Sequence, residues 1–382
     1  MTEMISITLQ VSGSELASAV EPRRRSAQSE QQRKDSDDLT VAQQTIVAQS
    51  YMVRRVTLWL MIFFYLAAPL SAASLQKIVV AYVSPSDSMI IPGIARDSGI
   101  LAKYGFDADV VLVTGSPRVV QSLIGGSFDY AIPGGTPLLR ARVQGADTVI
   151  LSTITDYSTQ RVMVHPRSGI QSVEQLKGKK VGVTQYGSEG DAFLRLVLQR
   201  AGLKPDIDVQ IIQTGGSGLT VTSLAAGKID AGAMGGSVTS VLASRKTGAK
   251  TLITAQELKV LAPSGVLATT RRKIARSRDE VRRFIQAYVE GIHFLKNNRE
   301  AALRIMQKYM GGLPMDIVSQ LYDDARDEYP PLPLAREEAI QAVLDRDSDP
   351  KARSLKPKDF IDMSFLRELE ENGFVTTLYQ KR

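Results

Sequence analysis

Residues 176–203 read LKGKKVGVTQYGSEGDAFLRLVLQRAGL. A β-rich run at 179–184 passes through Gly187-Ser188 into a helical stretch at 191–201. The same succession recurs on both sides. Upstream, IVVAYV (78–83), ADVVLV (108–113), DYAI (129–132) and TVIL (148–151) alternate with helical stretches; downstream, DVQIIQT (208–214) and DAGAM (230–234) do the same. Strands separated by helices pair in parallel through right-handed crossovers, so the pattern predicts an α/β protein whose sheet is covered on both faces.

Two of these sets superpose without gaps at an offset of 101 residues: Gly115-Ser116, Gly126, Asp129 and Gly134-Gly135 fall on Gly216-Ser217, Gly227, Asp230 and Gly235-Gly236. Each copy runs strand, Gly-Ser turn, short helix, Gly turn, strand beginning at Asp, then Gly-Gly. The simplest physical reading is two similar lobes facing one another: residues 74–164 with 268–382 as the first, 165–267 as the second, and hinges near 162–168 and 262–270. The last third is helical. Ser277 with Glu280 has capping-box spacing, and Val281, Phe284, Ile285, Tyr288, Val289 and Ile292 mark one apolar face that reads as core. Asn297-Asn298 separates this helix from a second at 299–310, which Gly311-Gly312 ends; Pro330-Pro331-Leu332-Pro333 is a loop, and 362–372 reads as a surface helix.

The front of the chain reads as processing sequence. Arg54-Arg55 precedes the uncharged apolar run VTLWLMIFFYLAAPL (56–70), and Ser71 and Ala73 satisfy a small-residue cleavage rule. Residues 52–73 are therefore expected to be a signal peptide, with the mature chain starting near Ser74. An uncleaved membrane anchor is the alternative, although the run is shorter than the roughly twenty residues a bilayer span needs. Residues 1–51, rich in Ser, Gln, Glu and Arg, are expected to be a disordered extension or to precede the true start at Met52.

Composition narrows the chemistry. With 382 residues, 43% hydrophobic, the chain can bury a substantial core. It has no cysteine, which excludes disulfides, thiolate nucleophiles and Cys-ligated metals. Its two histidines, His165 and His293, lie in no metal-ligand spacing, so neither a metal nor another cofactor is expected. The net charge of +7 comes with only 6% aromatics and scattered basic residues, which argues against nucleic acid as a partner and suits attraction of anionic solutes.

Open parallel sheets bind ligands at the carboxyl ends of their strands, where helix N-termini present N–H groups and a positive dipole end. Small polar residues crowd those positions here: Ser84 and Ser86, Gly115-Ser116, Gly135-Thr136, Gly187-Ser188, and Gly235 with Ser237. Glycine allows close backbone approach and hydroxyls can cap a helix or donate to bound oxygens. With Thr214-Gly215-Gly216-Ser217 as the sixth, such loops spread over two lobes point to a ligand cleft.

Five stretches carry a family resemblance: KIVVAYVSPSDSMIIPGIARDSGILAKYGFDADVVLV, QSLIGGSFDYAIPGGTPLL, SVEQLKGKKVGVTQYGSEGDAFLRLVLQRAGL, SLAAGKIDAGAM and VRRFIQAYVEGIHFLK. The sequence resembles the ABC-transporter substrate-binding proteins of the nitrate/sulfonate/taurine type, which share a fold with the pyrimidine-precursor-binding proteins of thiamine biosynthesis. The resemblance covers roughly 77–310. It implies a two-lobed periplasmic-binding-protein type II fold, a small-molecule solute held between the lobes, ABC permease and ATPase subunits as partners, a periplasmic location and no enzymatic activity, with a monomer suited to delivery. By the same analogy the cleft residues are Ser84, Ser86, Gly115, Ser116, Gly135, Thr136, Gly187, Ser188, Gly235 and Ser237. An aromatic wall would come from Tyr82, Tyr157 or Tyr186, of which Tyr157 is the candidate ligand contact, and Arg118 or Arg161 could neutralise an anion. Two rivals stand beside this reading: a membrane-anchored ligand sensor, and a thiamine-pyrimidine-type enzyme of the same fold, which would want the Cys and His that this chain lacks.

Overall fold

A computed structural model describes residues 74–380; the expected signal peptide at 52–73 and the extension at 1–51 lie outside them. Among the described residues no helix is long and apolar enough to cross a membrane.

The chain opens with β1 (Gln76–Tyr82), β2 (Phe106–Leu112), β3 (Tyr130–Ile132) and β4 (Thr148–Ser152). They are the four upstream runs read from the sequence. Then β5 (Thr155–Tyr157) leads to a second group, β6 (Arg161–Val164), β7 (Lys180–Val183), β8 (Gln210–Gln213), β9 (Ala231–Met234) and β10 (Lys250–Thr254). The chain returns through β11 (Leu261–Ser264) to β12 (Leu267–Thr270). One sheet has the order β2-β1-β3-β12-β4 and the other β10-β6-β9-β7-β8. The 101-residue repeat is structural: helices Ser116–Ile124 and Ser217–Ala225 begin at that offset, as do β3 and β9.

The sheets are mixed, not wholly parallel. β1 pairs in parallel with β2 and β3, but β12 runs antiparallel between β3 and β4, because it re-enters the first sheet from the other lobe and so travels in the opposite direction. For the same reason β6, entering the second lobe, is antiparallel to β9 and β10. Membership of the sheets also shifts the lobe border read from the sequence. Arg161–Val164 pairs inside the second sheet and Leu267 inside the first, so the chain crosses near 153–160 and 255–266. β5 and β11 are the crossing segments, paired antiparallel at Leu261 with Tyr157 and Ser264 with Thr155.

The long helix Arg278–Asn297 buries the apolar face expected of it, with Phe284, Ile285, Tyr288 and Val289 each at most 1% exposed in the first lobe's core. Phe284 stacks on Tyr130 with centroids 3.7 Å apart and meets Phe106 edge-on at 6.1 Å. The Ser277–Glu280 capping box does not form: the Ser277 side chain caps nothing, and Glu280 instead takes Lys273 at 2.8 Å, Tyr130 at 3.2 Å and Gln76 at 2.8 Å. A buried carboxylate gains more from a cation and two donors than from one exposed backbone N–H. The helix Ser364–Glu371, read as a surface helix, sinks Phe365, Leu366 and Leu369 into the same core, and Ile361 beside it bridges Ile150 at the edge strand β4.

Candidate functional site

Five helices start where the two sheets face each other: Ser116–Ile124, Gly135–Val143, Glu189–Arg200, Ser217–Ala225 and Ser237–Thr247. They follow the carboxyl ends of β2, β3, β7, β8 and β9. Residues at all five starts, among them Ser116, Gly134, Ser188, Ser217 and Gly236, line one cavity of about 60 Å³. Unpaired N–H groups and the positive ends of five helix dipoles thus converge on a single small space. Hydroxyls from Ser84, Ser86, Ser88, Thr159, Thr184 and Ser264 complete the wall.

Glycine is required at left-handed turns that aim these helices, as at Gly115 (φ +94°) and Gly236 (φ +87°). Close approach across the cavity demands glycine as well. A Cβ on Gly134 would lie 2.7 Å from Glu189 Oε2, one on Gly216 3.3 Å from the Thr114 side chain, and one on Gly236 3.3 Å from Ser84 Oγ. Each pair joins one lobe to the other, so the lobes are closed on the cavity.

The structure brings Ser84, Ser86, Gly115, Ser116, Ser188 and Gly235 of the sequence-derived set together on this wall. The other five lie around it. Gly135 begins its helix against the Pro263 carbonyl oxygen, 2.1 Å from where a Cβ would sit. Thr136, one residue on, faces a second cavity of about 330 Å³. Gly187 shapes the turn before its helix, its N–H donating to Asp191 Oδ2 at 2.8 Å. Tyr157 and Ser237 line an outer chamber of about 860 Å³ that shares Ser86, Thr159, Gln160 and Gly236 with the inner cavity. Arg161 lies in the outer chamber as well, with Lys259, opposite Asp87, Asp324, Asp327 and Glu328. Burial, helped by Asp87 and Asp324, pushes the Glu328 carboxyl up to about 7. Arg118 is exposed on its helix, Tyr82 is core against Tyr309, and Tyr186 is exposed with its hydroxyl donating to the Ile211 carbonyl.

Glu189, Gln160 and Ser264 line the cavity without having been singled out in the sequence. An acidic residue in the first turn of a helix ordinarily offsets the dipole from a solvated position. Here Glu189 is 8% exposed, accepts a hydrogen bond from Ser264 Oγ at 3.2 Å, and is pushed up from about 4.5 to about 7 by burial. Among the described residues no Lys, Arg or His lines the inner cavity.

A raised carboxyl pKa in the folded state makes the protonated form the native one, so stability is full below the unfolded value and is lost as pH climbs towards 7. Glu189→Gln is therefore expected to match wild type near pH 4 and to be more stable at pH 8, by up to about 3 kcal/mol. Urea unfolding at the two pH values measures this, and equal offsets at both would refute it.

Comparison with known proteins adds a family and a fold. The sequence matches the family described as NMT1/THI5 like over residues 91–302. A Brucella abortus protein named as a binding protein is 30% identical over 233 residues, which is 60% of this chain and 70% of that relative. The periplasmic aliphatic sulphonate binding protein from Escherichia coli aligns with a TM-score of 0.57 at 21% identity, over 79% of this chain and 94% of its own. A desulfurization enzyme aligns with a TM-score of 0.55 at 16% identity, over 77% of this chain and 99% of its own. At such identities the two structures establish the two-lobed α/β fold of periplasmic binding proteins. One fold carries both a binder and an enzyme, so the chemistry has to be argued from the cavity.

Proposed function

The chain belongs to the NMT1/THI5-like family, and on that premise we propose that it is the extracytoplasmic solute-binding protein of an ABC importer, holding a small polar, anionic organic solute between its lobes. The observation that carries this reading is the convergence of five helix N-termini, from both lobes, on one cavity walled by glycine and hydroxyl groups. Such a wall donates hydrogen bonds to oxygens from both sides, so the solute itself supplies the free energy that favours closure. The closed lobes would present the solute to permease and ATPase subunits, and the protein would act in the periplasm as a monomer after removal of the segment at 52–73.

A non-catalytic role is supported by what stands at the wall. His165 lies on the surface of the second lobe, its Nδ1 accepting from the Arg167 N–H, and His293 packs on Tyr379; neither reaches the cavity, and the chain has no cysteine. Among the described residues, a nucleophile–base pair built on His or Cys is therefore not assembled there. The sensory alternative turns on the fate of residues 56–70, which N-terminal sequencing of the exported protein would read directly.

A thermal-shift screen against small carboxylates, sulfonates, inorganic anions, amino acids and thiamine precursors tests the receptor reading. A solute at 100 times its Kd is expected to add about 2.7 kcal/mol, a shift of a few degrees. One chemical class should give saturable shifts, weakened by Ser188→Ala. Silence from every class with a folded preparation would count against a solute receptor and for a protein-binding or sensory role.

A further inference from the structure

The inner cavity combines an anion's donors with an acid in its own wall. Among the described residues Glu189 is the one ionisable side chain in that lining. It stands at the first position of the helix Glu189–Arg200 in the second lobe and reaches across to the other: Oε1 accepts from Ser264 Oγ on the crossing strand β11, and Oε2 lies against Gly134 of the first lobe.

The charged groups around it are occupied elsewhere. Behind the carboxyl, the second cavity is lined by Arg140, Arg195, Arg346 and Asp347. Arg140 pairs with Asp347 at 3.2 Å, Arg195 with Asp191 at 3.0 Å and Asp206 at 2.6 Å, and Arg346 donates to the Leu261 carbonyl. On the paired crossing strand β5, Asp156 is bound to Arg336 at 2.5 Å, and Arg118 on the helix Ser116–Ile124 faces solvent. Among the described residues no cation forms an ion pair with Glu189.

An ionised oxyanion entering this space would meet a second negative charge with no cation between them. Like charges sharing a water-poor site cannot both persist, and the weaker acid keeps its proton. Burial, partly offset by hydrogen bonds from Ser264, the Gly135 backbone and Ser158, has already brought Glu189 to about 7. Resting on the anion-receptor reading above, we propose that Glu189 is the specificity-determining residue of the cleft: a fully ionised oxyanion is captured only together with one proton, taken from solvent onto Glu189, which then donates a hydrogen bond to the anion. A solute that brings its own O–H or N–H donor is instead accepted by ionised Glu189 and needs no proton.

Methanesulfonate is a suitable probe because it stays ionised at any pH at which the protein is folded. Titration calorimetry of the full chain, at pH 6 and pH 8 and in buffers of different ionisation enthalpy, reads both affinity and protons taken up. Wild type is expected to bind about tenfold more weakly at pH 8 than at pH 6, from a carboxyl at about 7, with uptake approaching one proton at pH 8. Glu189→Gln, a permanently neutral donor, is expected to bind equally at both pH values with no uptake. Wild-type binding that is flat or stronger at pH 8, or a variant as pH-dependent as wild type, overturns the proposal and leaves the receptor reading intact. Failure of both folded proteins to bind at pH 6 removes the anion-receptor reading and the proposal with it. Should the variant not fold, the wild-type proton count decides alone.

Discussion

Phe284→Ala is expected to destabilise the folded chain by about 3–5 kcal/mol, the range for deleting a large aromatic from a packed core. Phe284 is 1% exposed and lies where three parts of the first lobe meet. Its ring stacks on Tyr130 of β3 at 3.7 Å, with planes only 5° apart, and takes the edge of Phe106 of β2 at 6.1 Å. The cavity left by alanine would be walled by strands and by its own helix, which cannot collapse onto it without losing sheet register. The loss should extend to Tyr130, whose hydroxyl donates to Glu280 within the Lys273 network. A urea midpoint lowered in proportion, with an unchanged slope, is the expected reading. A loss below about 1 kcal/mol would mean that the long C-terminal helix is not integral to the first lobe's core.

Gly134→Val should leave stability nearly untouched and cost about 1–3 kcal/mol in solute binding, a roughly 5- to 150-fold loss of affinity. Gly134 sits at φ −64°, ψ 143°, extended backbone that valine adopts freely. Within its own lobe the nearest atom to an added Cβ is Ser116 Oγ at 3.1 Å. Across the cleft, however, that Cβ would meet Glu189 Oε2 at 2.7 Å and Glu189 Cβ at 3.1 Å. When the lobes part, Glu189 leaves with the second lobe and the clash is relieved, so the substitution penalises the closed form and not the fold. Calorimetry with whichever solute the thermal-shift screen identifies, alongside urea unfolding, separates the two effects. Unchanged affinity would show that the solute is held without closure at Gly134. A large loss of stability would show that closure is not the step affected.

The two expected results divide along what could be read in the chain. Strand and helix alternation, the apolar stripe from Val281 to Ile292 and the 101-residue repeat are local or periodic features. Each depends on side chains a few positions apart or on a pattern met twice, and so the α/β class, the two lobes and the Gly-Ser helix starts are legible in the residues alone. The cluster of Ser84, Ser86, Gly115, Ser116, Ser188 and Gly235 followed from one general rule, that parallel strands end where helices begin.

Tertiary structure alone decided the rest. β12 enters the first sheet backwards because the chain has travelled through another lobe in between, which no local signal records. Glu280 has the spacing of a cap, yet Lys273, Tyr130 and Gln76 claim it once the helix docks. Thr136 turns to the second cavity although Gly134, two residues before it, stands at the cleft, since the rotation of a helix about its axis is fixed by what it packs against. Glu189 reads as an ordinary first-turn acid until Ser264, 75 residues away, and Gly134 close over it. Charge at a helix start is written in the sequence, but whether water reaches that charge depends on which distant segments cover it, and burial is what turns Glu189 from a solvated cap into the acid in the cavity wall.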